Sequence, residues 1–183
     1  MNRIILAGVN FLKKDKIVLE KKEIEKILPH RGKMLLLDKV EITKKEITGE
    51  FLITIEVCEG HAINGKEVFR GVDYLEMAAQ LLGIWLSQQI AEENKMASLR
   101  KSSFKCFSFS QPGDLLKIKM PIKQDLEDKD KITPRLETLS TNRNPDRIIQ
   151  QAIALDVSVS VGKDKKAEIN FVELSVFNKS LAD

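Results

Sequence analysis

A long apolar helix is predicted by the sequence VDYLEMAAQLLGIWLSQQI, residues 72–90. Apolar side chains fall on nearly every side of that helix, namely Leu75, Met77, Ala78, Ala79, Leu81, Leu82, Ile84, Trp85 and Leu86. A helix of this kind is normally enclosed by other elements of the fold. The segments before and after residues 72–90 are therefore expected to supply the enclosing layer.

Those flanking segments predict β-strands. Upstream, a short helix at 22–28 ends at Pro29, and strands are expected at 34–38 and 41–56, the second being either a hairpin or one long bent strand. Downstream, strands are expected at 96–109, 115–122, 148–161 and 167–177, with residues 162–165 as a hairpin turn between the last two. One buried helix with strands on both sides predicts an α+β protein in which a curved antiparallel β-sheet wraps a long central helix, the hot-dog fold.

The length and composition favour one domain. With 183 residues, of which 43% are hydrophobic, the chain can build a single core, so we expect one domain over 1–183 with an amino-terminal extension at 1–21 and a polar insertion at 123–150. The net charge of +3 arises from 30 basic and 27 acidic residues. Such a mixed surface gives no support for nucleic-acid binding, where basic and aromatic residues would cluster.

Location and redox state can also be predicted. No apolar run has the length of a membrane span, and residues 1–11 lack the small-residue cleavage pattern of a secretory signal, so we expect a cytoplasmic protein. The two cysteines, Cys58 and Cys106, stand in strand-like surroundings without metal-ligand spacing. We therefore expect reduced core thiols rather than a zinc site or a disulfide framework.

A histidine and a glutamate flank the start of the predicted long helix. His61 lies in the loop before the helix, Gly71 stands at the helix entrance, and Glu76 follows one turn inside. An imidazole beside a carboxyl group in an apolar surrounding is typical of a general acid/base site. Gln80 follows Glu76 by four residues and can hydrogen-bond its carboxyl group from the same helical face. The other histidine, His30, follows a proline in a turn and is interpreted as a structural residue.

Several motifs stand in one order along the chain: ILPHR at 27–31, LLLDKV at 35–40, GH at 60–61, GV at 71–72, EMAAQ at 76–80 and QPGD at 111–114. In this order they resemble bacterial 3-hydroxyacyl-[acyl carrier protein] dehydratases over about residues 23–177. The loop that follows His61 also resembles the dehydratase domains of polyketide and fatty-acid synthases. The sequence departs from the family at two places, since Ala62-Ile63-Asn64-Gly65 replaces Phe-Pro-Gly and Arg70 replaces the proline before Gly71.

The resemblance implies a hot-dog protein of fatty-acid or related acyl-chain synthesis. Its substrate would be a thioester of acyl carrier protein or of coenzyme A. It also implies a homodimer, or a homohexamer built as a trimer of dimers, in which the histidine of one subunit meets the acid of the other.

The predicted reaction is dehydration of a 3-hydroxyacyl thioester to the trans-2-enoyl thioester, and it assigns a role to each candidate residue. The elimination needs a base for the α-proton, an acid for the departing hydroxyl and hydrogen-bond donors for the thioester oxygen. We expect His61 and Glu76 to be the catalytic pair and the amides of Gly71 and Val72 to be the donors. Arg70 is expected to meet the phosphate of a pantetheine arm or an acidic carrier protein. We predict a hydro-lyase that needs neither a metal nor an organic cofactor.

Two other functions stay open at this point. One is a hot-dog thioesterase, in which Glu76 would activate water and His61 would be dispensable. The other is a non-catalytic subunit that binds acyl thioesters without turnover, which the altered loop and the missing entrance proline suggest.

Overall fold

The computed structural model describes residues 16–89, 95–123, 133–141 and 144–178. Its helices are α1 (Lys21–Ile27), α2 (Ile55–Cys58) and α3 (Gly71–Ser87), and a 3-10 turn lies at Gly32–Met34. The strands are, in chain order, β1 (Lys16–Glu20), β2 (Lys39–Thr43), β3 (Glu46–Leu52), β4 (Ala62–Ile63), β5 (Lys66–Glu67), β6 (Lys95–Cys106), β7 (Leu115–Pro121), β8 (Arg135–Thr141), β9 (Asn144–Val161) and β10 (Asp164–Asn178).

Eight of the described strands form one antiparallel sheet. Its order is β1-β2-β3-β7-β9-β10-β6, and β8 pairs with β9 beside this path. Helix α3 contacts β3, β6, β7, β9 and β10, so strands from both sides of the helix in sequence pack against it. The predicted arrangement of an antiparallel sheet around one long helix is confirmed.

The core lies between α3 and the sheet. On the helix the most deeply buried side chains are at most 1% exposed: Tyr74, Met77, Ala78, Leu81, Leu82 and Ile84. On β7 the side chains alternate, with Leu116, Ile118 and Met120 buried and the lysines between them exposed. This period of two places one apolar face of the strand against the helix and leaves the other to water.

A buried contact fixes the entrance of α3. The Tyr74 hydroxyl donates to the Ser110 hydroxyl at 2.8 Å, and the backbone amide of Phe69 donates to the Ser110 carbonyl at 2.8 Å. The rings of Phe69 and Tyr74 pack with centroids 5.3 Å apart. Burial raises the pKa of Tyr74, so the phenol stays protonated and can donate at neutral pH. Near the other end of α3, Trp85 is partly buried against the core.

Two predicted strands differ in the structure. Residues 34–38 were predicted to be a strand, but Met34 ends the 3-10 turn and residues 35–38 are irregular, although Leu35, Leu36 and Leu37 are buried. The prediction of a strand or hairpin over 41–56 is wrong at its end, where the chain leaves β3 and forms α2. Of the two predicted alternatives for this segment, the hairpin describes its first part, because β2 and β3 pair antiparallel. Their turn is held by the Thr43 hydroxyl, which donates to the carbonyl of Glu46 at 2.9 Å.

Parts of the extension and of the polar insertion join the sheet. The five residues of β1 pair with β2, although they lie within the predicted extension at 1–21. Strand β8 and the first part of β9 lie within 123–150 and pair with each other. The remainder of the extension, at 1–15, and residues 124–132 and 142–143 of the insertion lie outside the described residues. The division into one domain over 1–183 stays a prediction.

Gly49 lies where β3 passes closest to the core. A Cβ atom at this position would stand 2.6 Å from Leu37 Cδ2 and 2.8 Å from Ile118 Cγ2, both buried. We expect Gly49→Ala to lower the free energy of unfolding by about 1–3 kcal/mol, because the neighbours must leave their packed positions. Urea unfolding followed by circular dichroism measures the change.

The matched control is Gly83→Ala within α3. Its nearest neighbour would be Leu28 Cδ2 at 3.3 Å, a milder approach, and alanine gains about 0.5–1 kcal/mol over glycine in a helix. An equal loss of stability in the two variants would contradict the packing argument.

Candidate active site

The backbone around His61 fixes the tautomer of its imidazole. His61 Nδ1 lies 3.1 Å from the carbonyl oxygen of Val68, and the Val68 amide donates to the His61 carbonyl at 2.9 Å. A carbonyl can only accept, so Nδ1 carries the proton of the neutral ring and donates it. The lone pair is then on Nε2. A half-buried imidazole in this state can act as a base through Nε2.

Two side chains contact the same oxygen of the Glu76 carboxyl group. It projects from the second turn of α3 and its side chain is 27% exposed. Gln80 Nε2 donates to Glu76 Oε1 at 3.0 Å, as the helical spacing predicts. His30 Nε2 lies 3.2 Å from the same oxygen. The interpretation of His30 as a structural residue stays a prediction, and the structure places it in contact with the predicted catalytic acid.

His61 and Glu76 have different bonding partners. Among the described residues, no hydrogen bond or ion pair joins the two side chains. His61 is tied to the strand-like segment before α3, while Glu76 faces the loop that carries His30. The two predicted catalytic side chains are thus held by different segments of the chain.

The first amide groups of helix α3 belong to Gly71 and Val72. The first amides of a helix, here those of Gly71 and Val72, have no acceptor within the helix, and the N-cap residue Arg70 makes no capping side-chain bond. A Cβ atom at Gly71 would lie 3.2 Å from Cys106 Sγ, so a larger residue would crowd the turn. The positive end of the helix dipole favours a partly negative oxygen here.

Arg70 is engaged inside the chain. Its Nε and Nη2 atoms each donate to an oxygen of Asp73 at 2.8 Å. Asp73 is buried, at 4% exposed, while the Arg70 side chain is 50% exposed. The paired carboxylate raises the pKa of the Arg70 guanidinium. The structure thus gives Arg70 a role in fixing the first turn of α3, and its predicted contact with substrate phosphate stays a prediction.

We expect Arg70→Ala to lower the free energy of unfolding by about 1–3 kcal/mol. The change leaves the buried Asp73 carboxylate unpaired, although the half-exposed guanidinium makes the loss smaller than for a fully buried pair. Thermal and urea unfolding measure it. In an Asp73→Asn background Arg70→Ala should cost much less, and an equal cost in both backgrounds would mean that the pair does not stabilise the turn.

Neither cysteine thiol is readily deprotonated to the nucleophilic thiolate. Burial raises the pKa of Cys58 and also that of Cys106, so both stay protonated at neutral pH. Cys58 is buried as predicted, but Cys106 is exposed, which corrects the prediction of two core thiols. In the described part of the chain, no group of three or more His, Cys, Asp or Glu side chains is arranged to hold a metal ion.

The predicted site residues other than His61 therefore lie in two groups. Glu76 and Gln80 lie together with His30, and Arg70, Gly71 and Val72 form the entrance of α3. His61 stands apart from Glu76 within the single chain. Sequence reasoning missed His30, although the ILPHR motif that contains it is among the motifs that carry the family resemblance.

Sequence comparisons identify the family. No protein-family model matches the chain. A protein of Campylobacter fetus described as 3-hydroxyacyl-[acyl-carrier-protein] dehydratase FabZ is 36% identical over 126 residues, which cover 67% of this chain and 78% of that protein. A protein of Koribacter versatilis with the same description is 33% identical over 115 residues, covering 58% of this chain and 72% of that protein. The chain belongs to the 3-hydroxyacyl-[acyl-carrier-protein] dehydratase family. The resemblance predicted from the motifs is confirmed.

Solved structures confirm the fold. The dehydratase heterocomplex ApeI:P of Xenorhabdus doucetiae aligns with a TM-score of 0.53 and 15% identity, covering 85% of this chain and 90% of that chain. A variant of the fluoroacetyl-CoA-specific thioesterase FlK, bound to fluoroacetate and coenzyme A, aligns with a TM-score of 0.52 and 11% identity over 75% of this chain and 96% of that chain. At these identities the likeness concerns the fold alone, and it supports the predicted hot-dog fold of this dehydratase-family chain. Within the described residues, no helix is both long and apolar enough to cross a membrane.

Proposed function

We propose that the protein catalyses the reversible dehydration of 3-hydroxyacyl thioesters to trans-2-enoyl thioesters, with His61 and Glu76 as its acid/base pair. The observation that carries this proposal is the state of His61, whose Nδ1–H is committed to the Val68 carbonyl so that Nε2 can accept a proton. Family membership supplies the reaction class, and this geometry supplies a base for it.

For each bond that breaks or forms in the dehydration, the site offers a residue that can assist. His61 Nε2 removes the α-proton, and the electron pair of that bond forms the new carbon–carbon double bond. The carbon–oxygen bond at C3 breaks, and Glu76 gives its proton to the departing hydroxyl, which leaves as water. The amides of Gly71 and Val72 donate to the thioester oxygen while negative charge builds on it. Gln80 holds the carboxyl group of Glu76 in place.

We propose that two chains complete each site, so that His61 of one subunit meets Glu76 of the other. The lack of contact between the two side chains within one chain supports this arrangement. Strand β6 supports it as well, because it lies at the edge of the sheet and, among the described strands, pairs with β10 alone. From residue 97 to 106 its side chains are exposed apart from the half-buried Ser102, and these exposed residues include Leu99 and Phe104 as well as charged residues. A long edge strand with an open side can pair with a second copy. A homodimer and a trimer of dimers both satisfy this requirement.

We propose acyl carrier protein as the natural donor and coenzyme A thioesters as analogues of it. The exposed Lys105 supports an acidic partner near the entrance of α3, since it precedes Cys106, whose Sγ lies 3.9 Å from the carbonyl oxygen of Gly71. Its ammonium group can meet a phosphate or acidic side chains at the surface. The location in the cytoplasm stays a prediction.

The test is incubation of the purified protein with a 3-hydroxyacyl thioester and, separately, with its trans-2-enoyl product. We expect interconversion in both directions, seen as the change in enoyl-thioester absorbance, without release of free thiol. Free thiol without hydration would instead mean a thioesterase. Binding of the thioester with neither change would mean a non-catalytic acyl-binding subunit.

A further inference from the structure

We propose that His30 is a positioning residue that, together with Gln80, fixes Oε1 of Glu76 and so leaves Oε2 as the oxygen that exchanges a proton with substrate. This inference rests on the proposed function, and it adds a residue that the reaction scheme above does not use. It concerns which of two equivalent carboxyl oxygens does the chemistry.

The orientation of the Gln80 amide is set by three contacts. The backbone amide of Leu36 donates to Gln80 Oε1 at 3.0 Å, so the oxygen faces the loop. The NH₂ group must then face the other way, where it donates to the Met34 carbonyl at 2.7 Å and to Glu76 Oε1 at 3.0 Å. Both hydrogens of the NH₂ group are thereby used, and Gln80 is 1% exposed. A buried amide with its donors committed holds its partner with little freedom.

His30 reaches the same carboxyl oxygen from the loop between α1 and the 3-10 turn. Its Nε2 lies 3.2 Å from Glu76 Oε1. The guanidinium of Arg31 donates from Nη1 to the carbonyls of Leu28 and His30, at 2.6 Å each, and so fixes the backbone that carries the imidazole. Side chains from two different elements, Gln80 and His30, thus both contact Oε1.

The other ring nitrogen indicates the protonation state of His30. Nδ1 is buried and has no hydrogen-bond partner in the described part of the structure. An imidazolium would place an N–H there without an acceptor, whereas the neutral ring with its proton on Nε2 leaves only a lone pair unmatched. In that tautomer Nε2 carries the hydrogen and lies 3.2 Å from Glu76 Oε1. His30 then acts on the carboxyl group as a neutral polar contact, and it does not itself take the place of the base.

Kinetics of three single variants test the role. His30→Phe keeps a flat ring without a donor, and we expect kcat to fall roughly 10- to 100-fold with little change in KM, because a hydrogen bond to a charged group is lost where the proton moves. His30→Gln can still donate one N–H and should recover most of the rate. Lys33→Ala is the control in the same loop, since its ammonium pairs with Glu59 away from Glu76, and it should leave kcat unchanged.

A double variant separates positioning from general damage. In a Glu76→Gln background His30→Phe should cause almost no further loss of rate, because its target is already gone. An undiminished loss there would overturn the proposal. So would unchanged kcat in His30→Phe, a loss confined to KM, or a loss in His30→Gln as large as in His30→Phe.

A measurement without turnover keeps the proposal separate from the proposed function. A chain made without a histidine tag has two imidazoles, and His61→Ala leaves only that of His30. Nitrogen-15 spectra should show the proton on Nε2 and a shift of that nitrogen in a Glu76→Ala background. If the parent protein shows no hydration or dehydration but this shift is seen, the proposed reaction fails while the contact stands. If the parent is active and the shift is absent, the positioning role fails alone.

Discussion

Replacing His61 by alanine, or Glu76 by glutamine, is expected to reduce kcat for the hydration and dehydration of acyl thioesters by about 10²–10⁴-fold. Each change removes one proton-transfer group while leaving the core intact, since both side chains are only partly buried. Steady-state rates with enoyl and 3-hydroxyacyl substrates measure the effect. KM should change much less than kcat, because both groups act on the transition state.

Matched variants guard this result against loss of folding. Glu59→Ala, in the same loop as His61, and Gln88→Ala, at the end of α3, each change an exposed or half-exposed polar side chain outside the proposed site. Both should keep near-parent rates and the same unfolding midpoint. Hydration and dehydration within a few-fold of the parent in His61→Ala would remove His61 from the mechanism, whereas release of free thiol by that variant would point to hydrolysis by Glu76-activated water. Rates of hydration and dehydration within a few-fold of the parent in Glu76→Gln would likewise remove that residue from the mechanism.

Mixing the two inactive variants is expected to restore activity to about one quarter of the parent, if each site takes one residue from each of two chains. In a mixed dimer of His61→Ala and Glu76→Gln, one site carries both changes and the other carries neither. An equal mixture gives about half mixed dimers, each with one intact site. Rates measured after subunit exchange, brought about by mild denaturant and dilution, provide the test.

Two controls make the mixing experiment decisive. Each variant treated alone must stay inactive, and native mass spectrometry must show that mixed dimers have formed. Mixed dimers without recovered rate would mean that each site is built within a single chain.

The sequence predicted the elements whose side chains repeat over many residues. The apolar stretch at 72–90 became α3, with its start displaced by one residue and its end at Ser87. The alternation in β7 was equally clear. These patterns are set locally, by the 3.6-residue repeat of a helix and the two-residue repeat of a strand.

Short apolar runs and polar segments were harder to predict. Leu35, Leu36 and Leu37 are buried because the loop lies over α3, and the Leu36 amide bonds Gln80 instead of a neighbouring strand. A short apolar run that becomes buried has the same composition whether it forms a strand or an irregular loop, so composition does not distinguish the two. The short apolar run of β1 and the largely polar β8 lie in segments predicted as an extension and an insertion, and it is their pairing with β2 and β9 that places them in the sheet.

The part of the site within α3 was predictable, and the part that comes from distant segments was not. Glu76 and Gln80 face each other because four residues make about one helical turn. His30 and Glu76 are 46 residues apart, and only the folded loop brings them together. The contact of Arg70 was not predicted either. Arg70 was expected to contact substrate, but in the structure its side chain pairs with the buried Asp73.

Trp85 is the single tryptophan of the chain, and its place on α3 gives the protein an intrinsic fluorescent reporter. Its indole packs partly against the core on the helix that carries Glu76, but it belongs to neither group of the proposed site residues. Its emission therefore follows the docking of α3 and the entry of water into the core. Excitation at the red edge of the indole band separates it from the one tyrosine, Tyr74. Folding of every inactive variant can thus be followed optically, without a label and without any turnover.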